Sequence, residues 1–136
     1  MMSEELVKKI EAFFSERKGV AVVYLFGSRA KGTDTARSDV DVAVLYEPDC
    51  VPDFRDLLET QDILAGRLGQ DVNLVALNDA NPILKRQVFK YGREVMVRNR
   101  ALLREVLVRS LTEYDDLKRV RAPIERSLSR RTYHGG

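Results

Sequence analysis

The sequence predicts an α+β fold in which about four short strands make a sheet, helices pack on it, and a helical extension follows. Two observations predict it. Runs of strand length rich in Val, Leu, Tyr and Phe recur at residues 20–26, 39–46, 71–77 and 93–97. Around them lie stretches with apolar residues at helical spacing, closed by Gly, Pro or Asn.

Taken in order, residues 3–18 place Leu6, Val7, Ile10, Phe13 and Phe14 on one helical face, and Gly19 stops the helix. A strand at 20–26 leads into a Gly27-Ser28 turn, a single helical turn is expected at 28–31, and polar residues 33–38 carry the chain to the strand 39–46. Pro48 and Pro52 mark a loop before a helix containing Leu57, Leu58, Ile63, Leu64 and Leu68, which Gly69 ends. The third strand is 71–77. Asn81 is a good N-cap with Pro82 at the first helical position, and that helix runs to Tyr91 before Gly92 closes it. Residues 93–97 read as the last strand. From Asn99 a stripe of Leu102, Leu103, Val106, Leu107, Leu111, Tyr114, Leu117 and Val120 is again helical, and Pro123 breaks or kinks it. The chain therefore divides into a core domain at 1–97 and a helical extension at 98–136.

A chain of 136 residues, 44% apolar and 32% charged, suits one domain with its own core. No stretch approaches the roughly 20 apolar residues that span a bilayer. The amino terminus lacks the form of a signal peptide, and a cytoplasmic location is expected. A single cysteine, Cys50, excludes an internal disulfide and a multi-cysteine zinc site. Residues 1–97 hold 13 basic against 16 acidic side chains, whereas residues 98–136 hold 10 against 5. A basic tail on an acidic-leaning core suits an acidic or nucleic-acid partner, or simply a solvated helix face. No aromatic-rich basic patch accompanies it, so nucleic acid is not expected as a direct substrate. Lys85, Arg86 and the terminal His134 are expected to be solvated.

The chemistry concentrates between Gly27 and Asp41. Asp39 and Asp41 alternate along one strand, so both side chains leave the same face. Two carboxylates held this close repel unless a cation lies between them, and Mg²⁺ takes such oxygen ligands together with water and phosphate. The Gly27-Ser28 turn offers backbone N–H groups and a hydroxyl to the same phosphates. The segment thus reads as a metal-dependent phosphate-handling centre.

Gly27-Ser28, ten residues, then Asp39-x-Asp41 resembles the signature of the DNA polymerase β-like nucleotidyltransferases. With the Arg29-Ala30-Lys31-Gly32 turn, the strand 72–78, Asn81-Pro82-Ile83-Leu84 and Tyr91-Gly92-Arg93, the chain is similar to the minimal nucleotidyltransferases encoded beside HEPN-type ribonuclease toxins. The resemblance implies a mixed sheet and transfer of a nucleotidyl group from ATP, with two Mg²⁺ ions about 3.5–4 Å apart. Asp39 and Asp41 would be metal ligands and catalytic with Ser28, while Ser28 and the amide of Gly27 or Ser28 would hold phosphates. Arg29 or Lys31 would meet the leaving pyrophosphate. The family's third carboxylate falls at Asn73, which can offer a carbonyl oxygen but cannot take a proton. Asp71, two residues earlier, is the candidate substitute, and Asp34 in the loop is a weaker one. The implied function is an antitoxin that transfers AMP to a tyrosine of a HEPN-type toxin, with homo- or hetero-oligomers possible. The alternative is a binding module with little or no activity that neutralises the toxin by docking through residues 99–131. A transferase acting on a small hydroxylated compound fits the motif but not the length.

Overall fold

The computed structural model describes residues 2–27 and 39–116, and among these four strands form one mixed sheet in the order β3–β2–β1–β4. They are β1 (Val20–Phe26), β2 (Val40–Tyr46), β3 (Val72–Ala76) and β4 (Arg93–Val97). β1 pairs antiparallel with β2 and β4, whereas β2 and β3 run parallel. Parallel neighbours require a crossover, and helix α2 (Phe54–Leu68) supplies it. Both sheet faces are covered. Val23, Leu25, Val42 and Val44 pack with Ile10 and Phe14 of α1 (Met2–Ser15) and with Leu64 of α2. Ala21, Tyr24, Ala43 and Leu45 pack with Val88 of α3 (Pro82–Tyr91) and Leu103 of α4, the helix over residues 100–116. No described helix is long and apolar enough to cross a membrane.

Local signals set the helix ends. The Asp53 carboxylate accepts from the Asp56 N–H at 2.7 Å to start α2, and Gly69, at φ 68°, donates to the Ala65 carbonyl to end it. Asn81 Oδ1 accepts from the Leu84 N–H at 2.8 Å, as expected of that cap. Gly92 closes α3 for a different reason. Its φ is an ordinary −73°, but a Cβ there would strike the Val88 carbonyl. α1 stops at Ser15, short of Lys18, because the Arg98 guanidinium takes the carbonyls of Phe14, Ser15 and Arg17. β3 ends at Ala76 rather than Leu77. Beyond it the Asn78 amide pairs with both the N–H and the carbonyl of Tyr46 at 2.9 Å, continuing the ladder with a side chain.

Two residues expected in solvent are elsewhere. Lys85 is 7% exposed and its Nζ lies 2.9 Å from Glu113 of α4, while the Arg86 guanidinium sits 4.5 Å over the Tyr114 ring. A helix pattern shows which side chains share a face but not that a second helix will close over them. Asn99 starts α4 by accepting from the Leu102 N–H and ties it to the end of β2 by donating to Glu47. Over residues 100–116 the extension therefore packs on its own core. The Lys85–Glu113 pair gives a test by urea denaturation. Glu113→Ala leaves a buried ammonium without its partner and lowers stability by about 1–3 kcal/mol, and adding Lys85→Met recovers most of that loss.

Candidate active site

Strand register assembles the site. Phe26, Asp41 and Asn73 stand in one row across β1, β2 and β3. Asp41 lies on the face of β2 shared with Ala43 and Leu45, so its neighbours toward the domain are apolar. Val40 and Val42, on the opposite face, are fully buried and lock that orientation. Asp39 immediately precedes β2 and is exposed.

Gly27 follows Phe26 at the open end of this row, with φ 77°. A Cβ at this position would run into Asp41 Oδ2, so glycine is required both by backbone conformation and by space. On its other side, Asp41 Oδ1 accepts from Asn73 Nδ2 at 3.3 Å. Burial pushes the half-buried Asp41 carboxyl above its ordinary value, the Asn73 hydrogen bond opposes that shift, and the Asp39 charge adds to it.

The structure thus brings Gly27, Asp41 and Asn73 into contact, with Asp39 two residues up the strand from Asp41. Asp71 enters differently. Its carbonyl accepts from the Val40 N–H at 2.9 Å, and register continued by one step sets it beside Asp39 rather than Asp41. Among the described residues no three Asp, Glu, His or Cys side chains gather as a metal-binding group. Ser28, Arg29, Lys31 and Asp34 lie outside the described residues, as does His134. Sequence reasoning missed the Asn73–Asp41 hydrogen bond, having given Asn73 a carbonyl to offer rather than an amide N–H. The missing signal was the register between β2 and β3, which a single strand pattern does not contain. The donor set is hard oxygen, and the absent Cβ at Gly27 leaves Asp41 Oδ2 uncrowded by side-chain carbon. These residues fit a hard divalent cation.

The polymerase beta nucleotidyltransferase family profile matches residues 8–101, and the chain belongs to that family. The chain is 36% identical over 77 residues to the protein adenylyltransferase MntA of Shewanella oneidensis, a match covering 54% of this chain and 52% of that protein. Among solved structures, a toxin–antitoxin with AMP-PNP superposes with TM-score 0.80 at 28% identity, over 90% of this chain and 97% of the other. A second, the Shewanella oneidensis complex of tri-AMPylated HEPN toxin with MNT antitoxin, matches with TM-score 0.76 at 25% identity, covering 93% and 98%.

Asp41 carries a pH prediction. Its folded carboxyl is raised, so the folded state binds a proton that the unfolded state releases. Stability of the metal-free protein then falls as pH rises from the ordinary aspartate value through the raised one. In EDTA, Asp41→Asn should melt above wild type at neutral pH, with the difference shrinking as acid protonates Asp41. Thermal melts across pH check this.

Proposed function

We propose that this chain is an antitoxin-type protein adenylyltransferase that transfers AMP from ATP to a tyrosine hydroxyl of a HEPN-type ribonuclease toxin in the cytoplasm. The observation that carries the reading is the Asp39–Asp41 pair at the start of β2, set against the open Gly27 turn. The similarity to toxin-bound antitoxin structures over nine-tenths of the chain supports the acceptor class and a hetero-oligomer with the toxin.

In the reaction the acceptor oxygen forms a bond to the α-phosphorus as the bond to the bridging oxygen breaks, and pyrophosphate leaves with that electron pair. Asp39 and Asp41 would hold Mg²⁺, which when bound neutralises charge building on the phosphates. By resemblance, Ser28 and the amide of Gly27 or Ser28 would hold the β- and γ-phosphates, and Arg29 or Lys31 would meet the departing pyrophosphate. Asn73 stands where the family's third acid would accept the acceptor's proton, and it cannot do so. With no base at position 73 the proton passes to solvent water, and a phenol, with a pKa of about 10, gives it up more readily than an aliphatic alcohol. A tyrosine acceptor therefore suits this site.

The same asparagine favours one second reading, a binding module of low activity that neutralises the toxin by docking through residues 99–131. One assay separates the two. The protein is mixed with the ribonuclease encoded beside it, labelled ATP and Mg²⁺. Label on a toxin tyrosine, reduced on the order of 10²-fold or more by Asp39→Asn, is expected. Neutralisation without label, unchanged in that variant, would establish docking instead.

A further inference from the structure

We propose that Asn73 limits this site to one divalent cation, the ion that arrives with the nucleotide. The inference rests on the nucleotidyltransferase reading above and concerns what this chain's own residues leave available. Asn73 faces Asp41 across the parallel β2–β3 pair, and its Nδ2 donates to Asp41 Oδ1 at 3.3 Å. A carboxamide beside a carboxylate oxygen is satisfied only by presenting its NH₂ group, since carbonyl against carboxylate oxygen repels. The amide oxygen is therefore turned away from the space between residues 73 and 41, and one Asp41 oxygen already holds a donor.

The other oxygen, Oδ2, packs against the Gly27 turn, in the space that a Cβ there would take. On the proposed reading the Gly27 turn is the phosphate side of the row, where an ion shared by Asp39, Asp41 and a triphosphate would sit. An ion on the Asn73 side would have to displace the donated N–H and would meet a neutral ligand in return. Among the described residues no third Asp, Glu, His or Cys completes the group. A carboxylate at position 73 would supply both the charge and the free oxygens. Register thus converts one asparagine into a device that sets metal stoichiometry.

Counting ions tests this without reference to turnover. The full-length protein, saturated with AMP-PNP, is titrated with Mn²⁺ while electron paramagnetic resonance follows bound and free ion. Wild type should retain one Mn²⁺ per chain with the spectrum of an isolated ion. Asn73→Asp should retain two, with the line broadening of a closely spaced spin pair. Two spin-coupled ions in wild type would overturn the inference while leaving the proposed function standing. One ion in a folded Asn73→Asp variant would overturn it equally. If neither ion nor nucleotide is retained by wild type, the nucleotidyltransferase reading fails and this inference with it.

Discussion

A slip of one residue between β2 and its neighbours would turn Asp41 into the layer occupied by Ile10, Phe14 and Leu64 and put Val42 at the site. The register that prevents this is held by packing on both faces together with the Asn78 amide, which pairs with the N–H and the carbonyl of Tyr46. Val40, Val42 and Val44 on one face, and Ala43 and Leu45 on the other, are all buried with almost no exposure. A strand buried on both faces has no polar side to exchange for an apolar one, so it tolerates a carboxylate only at its end. Asp41 and Asp39 occupy that end, and the row from Phe26 to Asn73 follows from their placement.

This arrangement carries a cost that the proposed function would explain. Asp41 is half withdrawn from water, has a like charge two residues away, and receives partial relief from a single amide N–H. Folding alone would favour a neutral residue there. A cation beside Oδ2 would reverse the balance, because an opposite charge stabilises the ionised carboxylate that burial disfavours. Gly27 gives up a side chain for the same end, leaving the carboxylate uncrowded on the side where phosphate would approach. Sites that hold such unfavourable groupings commonly trade stability for activity.

Much of this was legible from residues alone. The β-branched runs, the Asn81-Pro82 start of α3 and the Gly69 stop of α2 each act locally, and each appears where the pattern put it. The spacing from Gly27 to Asp41 marked two residues that the structure brings together, because they lie at one end of the same strand pair. What escaped was non-local. Lys85 looked like a surface cation because its partner, Glu113, lies on another helix. Arg98 gave no hint that it would take the last carbonyls of α1, more than eighty residues earlier in the chain. The amide of Asn73 found its role only through pairing between two strands separated by a whole helix. Propensity and periodicity describe each element; contact between elements requires the packed sheet.

Calorimetric titration of AMP-PNP into the wild-type chain, first with Mg²⁺ and then with EDTA, tests the central claim most directly. The carboxylate pair beside the Gly27 turn predicts saturable uptake of one nucleotide per chain with Mg²⁺ and markedly weaker uptake once the metal is chelated. Uptake indifferent to EDTA, or none in either buffer, would contradict it.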